Sequence, residues 1–405
     1  MRRPLASRHN NVIPRHPDLV SRSIRLHRAG ESGRKEAVTQ TQPTLAIGLM
    51  SGTSRDGIDA ALIETDGEGV SKPVAFHAMP YLDGFRIRLA EACQRAMAMD
   101  KPGFEPLIQS VEGELTELHV EAVSDLLARS GHVAQDIAVI GFHGHTVAHR
   151  PEWRWTWQIG DGAALAGAFG IPVVGDLRSA DVAAGGQGAP LMPVYHRALA
   201  SGLPKPVAIL NLGGVANITA IGEAGGLLAF DTGMASGLID NWMQTHSGKP
   251  FDENGVTAAK GQIDEPRLAS LMADSWFDLP PPKSIDREAF TLDTVRGLSL
   301  EDGAATLTAF TAKAVARALD HLPSPPSAIY VGGGGRHNAT LMAMLSAFTQ
   351  ADVRPVDDLG WDGDALEAQG FAYMAVRRLK SLPISFPGTT GVPVPMTGGV
   401  LFDPA

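Results

Sequence analysis

Apolar residues gather in short runs at Leu45 to Leu49, Asp59 to Glu64, Ile137 to Phe142, Ile171 to Val174, Val207 to Leu212, Leu227 to Phe230 and Ala328 to Val331. Runs this short, bounded by Gly, Pro and polar residues, predict strands. Between several of them lie longer stretches, such as Leu107 to Arg129 and Ala304 to Leu322, with apolar positions at helical spacing. These predict amphipathic helices, and the alternation predicts an α/β chain whose helices cover mixed or parallel sheets.

The run AIGLMSGTSRDGIDAALIETDG, Ala46 to Gly67, reads as two strands around a turn of glycine, hydroxyl and aspartate. It has an echo in PVAILNLGGVANITAIGEAGGLLAFD, Pro206 to Asp231, again strand, Gly-Gly turn, strand, turn, strand. Two halves that each begin with a glycine-containing hairpin predict a duplicated fold with a cleft between the copies. A boundary near residues 195 to 206, where ASGLPKP supplies Gly and Pro, separates an expected N-terminal domain, 45 to 200, from a C-terminal one, 201 to 405.

Composition keeps that picture globular: 44% of the 405 residues are hydrophobic and 19% charged. No apolar run approaches the roughly 20 residues that span a bilayer, so no membrane association is expected. Cys93 is the single cysteine. That excludes an intrachain disulfide and a cysteine zinc site, and it fits a reducing, cytoplasmic location.

The net charge of −10 is unevenly spread: residues 1 to 44 carry +6 and the remainder −16. An acidic body argues against nucleic acid as the partner, because phosphate contacts need clustered Lys and Arg. The basic segment 1 to 44 superficially resembles a transit peptide. It lacks the apolar content to order itself, reads as a disordered extension, and is left out of the expected fold.

Several polar clusters could carry chemistry. In SGTSRDG, Ser51 to Gly57, Gly52 and Gly57 free backbone amides to converge while Thr53 and Ser54 add hydroxyls, a nest that suits phosphate oxygens. The same residue types are ordinary turn formers, and from spacing alone a plain hairpin turn is the simpler reading. It is not a P-loop, which needs a lysine and a following helix. The four glycines Gly332 to Gly335, after a strand and before a helix, exceed what a turn requires and point to close approach of a ligand.

Asp231 closes an expected strand in LLAFDTGMASGLIDNW. A carboxylate there faces the ligand crevice of an α/β sheet, or it caps the next helix. His143, His145 and His149 in GFHGHTVAHRP follow a strand as a glycine turn, and their spacing is poor for zinc. Arg178, beside Asp176 and Asp181 and followed by GGQG, offers an anion anchor or a surface ion-pair cluster.

Taken together, IGLMSGTSRDGIDAALIE, GFHGHT, QIGDGAALA, GDLRSADVAAGGQGAPLMP, LNLGGVANIT, AFDTG, PKS with a following RE, GGGGRHN and LEAQGFAY resemble the anhydro-N-acetylmuramic acid kinase family. They run in family order from about Leu45 to the C-terminus, leaving only the basic extension outside. The resemblance implies the actin-like ATPase and sugar kinase superfamily, with two ribonuclease-H-like α/β domains clamping nucleotide in the cleft.

It implies that Gly52, Thr53, Ser54, Arg55, Asp56, Gly57, Ile58 and Asp59 form an ATP-binding segment. Gly213 and Gly214 would form the matching phosphate loop, and Gly332, Gly333, Gly334 and Gly335 would approach the adenosine. Asp231 matches the catalytic aspartate, while His143, Thr146, Arg178 and Glu367 match positions assigned to the sugar. ATP and Mg²⁺ are the implied cofactors, with no metal ligands specified, a small anhydrosugar is the partner, and a homodimer is compatible with it.

The implied reaction opens 1,6-anhydro-N-acetylmuramate with water and phosphorylates it to N-acetylmuramate 6-phosphate, in peptidoglycan recycling and amino-sugar catabolism. Alternatives on the same scaffold are a kinase for a related amino sugar and a non-enzymatic, nucleotide-dependent binding module. The chain departs from the family pattern at three places: Met234-Ala235-Ser236 replaces Pro-Gly-Asn, His145 replaces Gln, and Arg55 replaces an apolar residue.

Overall fold

The computed structural model describes residues 42–285 and 289–404. The basic extension up to residue 41 and the Arg287-Glu288 pair of the PKS…RE motif lie outside the described residues. In the first half, β1 (Thr44–Ser51), β2 (Gly57–Thr65) and β3 (Ser71–Pro80) form an antiparallel meander. Helices α1 (Asp83–Met97) and α2 (Pro106–Ser130) lead to β4 (Ile137–Arg150), parallel to β1. β5 (Trp155–Ile159) folds back on β4, and α3 (Gly162–Phe169) returns the chain to β6 (Val173–Gly175), parallel to β4. Two short helices, α4 (Ser179–Ala183) and α5 (Pro193–Leu199), complete this half.

The second half repeats the plan. β7 (Val207–Leu212), β8 (Val215–Ile221) and β9 (Leu227–Met234) form a meander, followed by α6 (Ser236–Ser247), α7 (Glu265–Met272) and α8 (Leu300–Ala318). β10 (Ile329–Gly332) runs parallel to β7, and α9 (Ala339–Thr349) leads to β11 (Val353–Pro355), parallel to β10. The chain ends with α10 (Leu366–Leu379) and β12 (Val400–Phe402), which joins the edge of the first sheet beside β6.

The two sheets therefore share one strand order, β3-β2-β1-β4-β6 in the first and β9-β8-β7-β10-β11 in the second. In each, a three-strand meander is extended by two strands parallel to its first member. This is the ribonuclease-H-like α/β arrangement, present twice. The duplication expected from the paired hairpins is thus real at the level of topology.

The central strands are apolar because both their faces are covered. Ile47 and Leu49 of β1 are fully buried, as are Val139 and Ile140 of β4. On one face lies α10, whose Phe371, Tyr373 and Met374 are buried against β1, β4 and β2. Each such side chain contributes about 1.5–3 kcal/mol of burial.

Glycine makes the close seating of α10 possible. A Cβ at Gly48 would stand 1.8 Å from the Ala368 carbonyl oxygen, and one at Gly141 would stand 2.0 Å from that of Phe371. α2 covers other strands of the sheet; Glu105 caps it by accepting from the Ile108 amide at 2.9 Å, and Gly131 ends it at φ +74°. In the second half, α8 is the buried centre, capped by Ser299 and packed among α6, α7, α9 and β9.

Two local expectations change. GFHGHT does not turn after its strand: β4 continues through it to Arg150. Gly144, at φ +66°, lets β5 approach, since a Cβ there would stand 2.3 Å from the Ile159 carbonyl oxygen. Likewise β9 does not close at Asp231 but runs on to Met234, and the N-cap of α6 is Ala235. Asp231 is therefore a strand residue, opposite Asn217 of β8, and not a helix cap.

Candidate active site

The first glycine turn joins β1 to β2 and the second joins β7 to β8, equivalent positions of the repeated plan, while the glycine run follows β10, the counterpart of β4. They meet at one cavity of 530 Å³. Gly52, Ser54, Asp56 and Asp59 line it from the first sheet, Gly213 and Asp231 from the second, and Gly332, Gly333 and Gly334 from the end of β10. Arg178 and Glu367 complete the wall from the β6–α4 connection and the first turn of α10. A neighbouring cavity of 470 Å³ shares Ser54, Asp56, Gly213 and Gly334 with it and adds Thr53, Gly214 and Gly335.

Five expected residues stand elsewhere. His143 lines a separate cavity of 350 Å³. Thr146 lies within β4, where its hydroxyl accepts from Gln158 Nε2 at 3.1 Å. Ile58 is fully buried in the core beneath the turn. Arg55 takes φ +56° and its charge acts on the Cys93 thiol and the His145 ring. Gly57 opens β2, where a Cβ would press on the Met79 carbonyl oxygen at 2.3 Å, so its role is strand approach.

Three glycines of the cavity wall differ from those of the core. A Cβ at Gly334 would meet nothing within 4 Å, one at Gly213 nothing nearer than 3.6 Å, and one at Gly52 nothing nearer than 3.4 Å. Packing does not require glycine at these three positions. What they provide is bare backbone facing open space, the surface a phosphate or a planar ring can approach.

The carboxylates are electrostatically strained. Asp231 Oδ2 accepts from the Ile285 amide at 2.9 Å, while the Asp231 amide donates to the Lys283 carbonyl at 2.9 Å. Burial outweighs that single donor and pushes the Asp231 carboxyl up to about 7. Asp59 is also pushed to about 7, first by burial and then by the charges of Asp56, Glu367, Asp364 and Asp362. Burial raises Glu367 too, against the pull of Arg178.

Arg178 is held from behind. Its Nε donates to His143 Nε2 at 3.0 Å and its NH1 donates to the Gly188 carbonyl at 2.6 Å. His143 Nδ1 donates to the Gly144 carbonyl at 2.9 Å, which leaves Nε2 as the acceptor that Arg178 needs. Burial drives the His143 pKa well down, so the imidazole stays neutral behind the guanidinium. His143 thus reaches the cavity through Arg178.

The family model for anhydro-N-acetylmuramic acid kinase matches residues 44–404. The chain belongs to this family. Relatives of the same name include one from Rhizorhabdus wittichii, 60% identical over 361 residues, covering 89% of this chain and 99% of its own. Another, from Zymomonas mobilis subsp. mobilis, is 54% identical over 359 residues, covering 88% and 98%. A third, from Paramagnetospirillum magneticum, is 52% identical over 358 residues, covering 88% and 98%. Family membership makes the chain a kinase, and the cavity is the place to look for its chemistry.

Among the described residues, no three His, Cys, Asp or Glu side chains converge as a ready metal cage. No described helix is long and apolar enough to cross a membrane. The departure at Met234-Ala235-Ser236 falls mainly in packing: Met234 and Ala235 are buried, and the amides of Ala235 and Ser236 donate to the carbonyls of Gly214 and Gly213.

Residues not singled out from sequence also line the cavity, among them Asn211, Asn217, His196 and Asp364. Asn211 and Asn217 face one another across β7 and β8, and Asn217 faces Asp231 across β8 and β9. The signal was an asparagine inside each of two apolar runs, ILNL and VANIT. A polar side chain is costly there unless it is used.

Proposed function

We propose that this chain uses ATP to convert 1,6-anhydro-N-acetylmuramate into N-acetylmuramate 6-phosphate, adding water across the anhydro bridge and phosphate to oxygen 6. The observation that carries this reading is the Asp231 carboxyl, raised to about 7 and set in the same cavity as the bare backbone of Gly52, Gly213 and Gly334. A base of that pKa is half ionised at neutral pH and suited to taking a proton from water.

In the reaction, Asp231 accepts a proton from the water that attacks the anomeric carbon. The bridge then opens, and oxygen 6 leaves the anomeric carbon as the nucleophile toward the γ-phosphoryl group. Until the bridge opens, oxygen 6 is an ether and cannot be phosphorylated. Phosphoryl transfer itself needs mainly alignment and charge neutralisation, which backbone amides of the glycine turns provide.

ATP is assigned to the two joined cavities, with its phosphates toward Gly52–Asp56, Gly213 and Gly214 and its adenosine toward Gly332–Gly335. The sugar is assigned to the Asp231 side, where Arg178 and Glu367 offer a cation and a carboxylate. Mg²⁺ fits the acidic wall of Asp56 and Asp59, because this ion takes one or two carboxylates together with substrate phosphates and water. Bound there, it would neutralise phosphate charge, and it would offset the neighbouring carboxylate charges that add to burial in raising Asp59. Residues 45–200 and 201–405 are proposed as two domains, with α10 and β12 returning to the first sheet.

Mass analysis of the product tests this reading. Incubation with ATP and the anhydrosugar is expected to give a sugar heavier by one water and one phosphoryl group. A product carrying phosphate without water, or equal turnover of sugars that lack the bridge, contradicts it.

A further inference from the structure

Ser51 ends β1 immediately before Gly52, and it is 1% exposed. Its Oγ shares a hydrogen bond of 2.6 Å with the Tyr81 hydroxyl and one of 2.8 Å with His145 Nδ1. His145 stands opposite Ser51 in the β1–β4 register, and its Nε2 lies 3.7 Å from Cys93 Sγ. The Tyr81 amide donates to the Asp56 carbonyl at 2.9 Å. The residue that enters the Gly52–Asp56 turn and the residue that leaves it are thus fastened to one buried network.

The turn has further ties. The Arg55 amide donates to the Gly52 carbonyl at 3.0 Å, and the Arg55 carbonyl accepts from Arg86 Nε at 3.1 Å. The Arg55 side chain turns toward Cys93 and His145, so two of the three departures seen in sequence meet beneath the turn.

Hydroxyl, phenol, neutral imidazole and thiol can each donate and accept. With Nδ1 as acceptor, Tyr81 donates to Ser51, Ser51 to His145, and Nε2–H to Cys93; the other tautomer reverses every bond. The first direction gives each O–H and the ring N–H an acceptor, whereas the reverse leaves the Tyr81 O–H without one inside the network. Burial pushes His145 down to about 3, which keeps the imidazole neutral. His145 lines none of the three cavities.

We infer that His145 is a positioning residue for the Gly52–Asp56 turn, acting through Ser51 and Tyr81 without touching nucleotide or sugar. An apolar residue at 145 would leave the buried Ser51 and Tyr81 hydroxyls one partner short, and the turn would lose its fixed entry. The consequence for catalysis rests on the reading that this turn carries the phosphates of ATP.

The test uses the full chain with His145→Leu, His145→Gln, Ser51→Ala and the Ser51→Ala/His145→Leu double variant. Amide hydrogen exchange of residues 52–57 is followed without nucleotide, alongside thermal unfolding and the separate KM values for ATP and sugar. His145→Leu is expected to exchange about tenfold faster across the turn and to raise the ATP KM by about tenfold, the effect of one lost hydrogen bond to an ordered site.

The sugar KM should stay within about twofold, His145→Gln should restore both values, and the double variant should be no worse than its worse single. Unchanged exchange and unchanged ATP KM in His145→Leu overturn the inference. So does a joint rise of both KM values with a lowered melting temperature. If His145→Leu does not fold, Ser51→Ala carries the same comparison. Faster exchange in a protein whose wild type shows no ATP dependence would uphold the positioning role and overturn the nucleotide reading.

Discussion

In the proposed reaction, Asp231 concentrates the chemistry in one carboxyl. Its raised pKa, about 7, comes from burial that a single amide donor does not offset. A base must be deprotonated to act, so kcat/KM is expected to rise with pH up to about 7 and then level, and a pH–rate profile measures this. Asp231→Asn should lower kcat by roughly 10³-fold and abolish that limb, within the usual range for losing a general base.

The same shift has a cost in stability. Between the ordinary value of 3.8 and about 7 the folded protein holds a proton that the unfolded chain releases. Stability from this site therefore falls as pH rises through that window. Asp231→Asn should melt above wild type at pH 8 and not above it at pH 3, by thermal unfolding at the two pH values.

Asp231 was visible in the sequence as one of two readings, ligand-facing or capping, and Ala235 at the cap position removes the second. Asn211 and Asn217 were not singled out, because an asparagine in an apolar run signals a cost without showing which neighbour it serves. Their use depends on a neighbour many residues away, Asp231.

At the scale of elements, Gly141 of β4 and Gly334 after β10 do opposite things. Gly141→Ala would drive a methyl into the backbone of α10 and should destabilise by about 3 kcal/mol or more, read as a lower midpoint in urea. Gly334→Ala meets open space, so the midpoint should hold while the KM for ATP rises by about tenfold. An unchanged ATP KM in Gly334→Ala would place the nucleotide elsewhere.

The three strands of the second meander and the first two of the first were legible from apolar runs and punctuation. The continuation of β4 through GFHGHT was not, because two glycines among polar residues carry the signature of a turn. Gly141 falls within the expected strand, and the approach of β5 makes Gly144 a strand position as well.

At the scale of the whole molecule, the duplication could be read from two hairpins, SGTSRDG and LNLGGVAN, since each is local. The return of α10 and β12 to the first sheet could not. LEAQGFAYMAVRRL is an amphipathic helix that fits either sheet by its own pattern, and its partners Gly48 and Gly141 lie hundreds of residues earlier. Gln42–Ala405 forms a compact unit of its own, and the family model begins at residue 44. Removal of residues 1–41 should therefore leave turnover and melting temperature unchanged, and a clear loss of either would show that the extension serves the kinase.

The coupling of bridge opening to phosphoryl transfer is tested most directly by running the reaction in water labelled with ¹⁸O and locating the label in the phosphorylated sugar. Label on the anomeric oxygen, with the phosphate oxygens and oxygen 6 unlabelled, is the expected result. An unlabelled product, or label at oxygen 6, would contradict attack of an Asp231-activated water on the anomeric carbon.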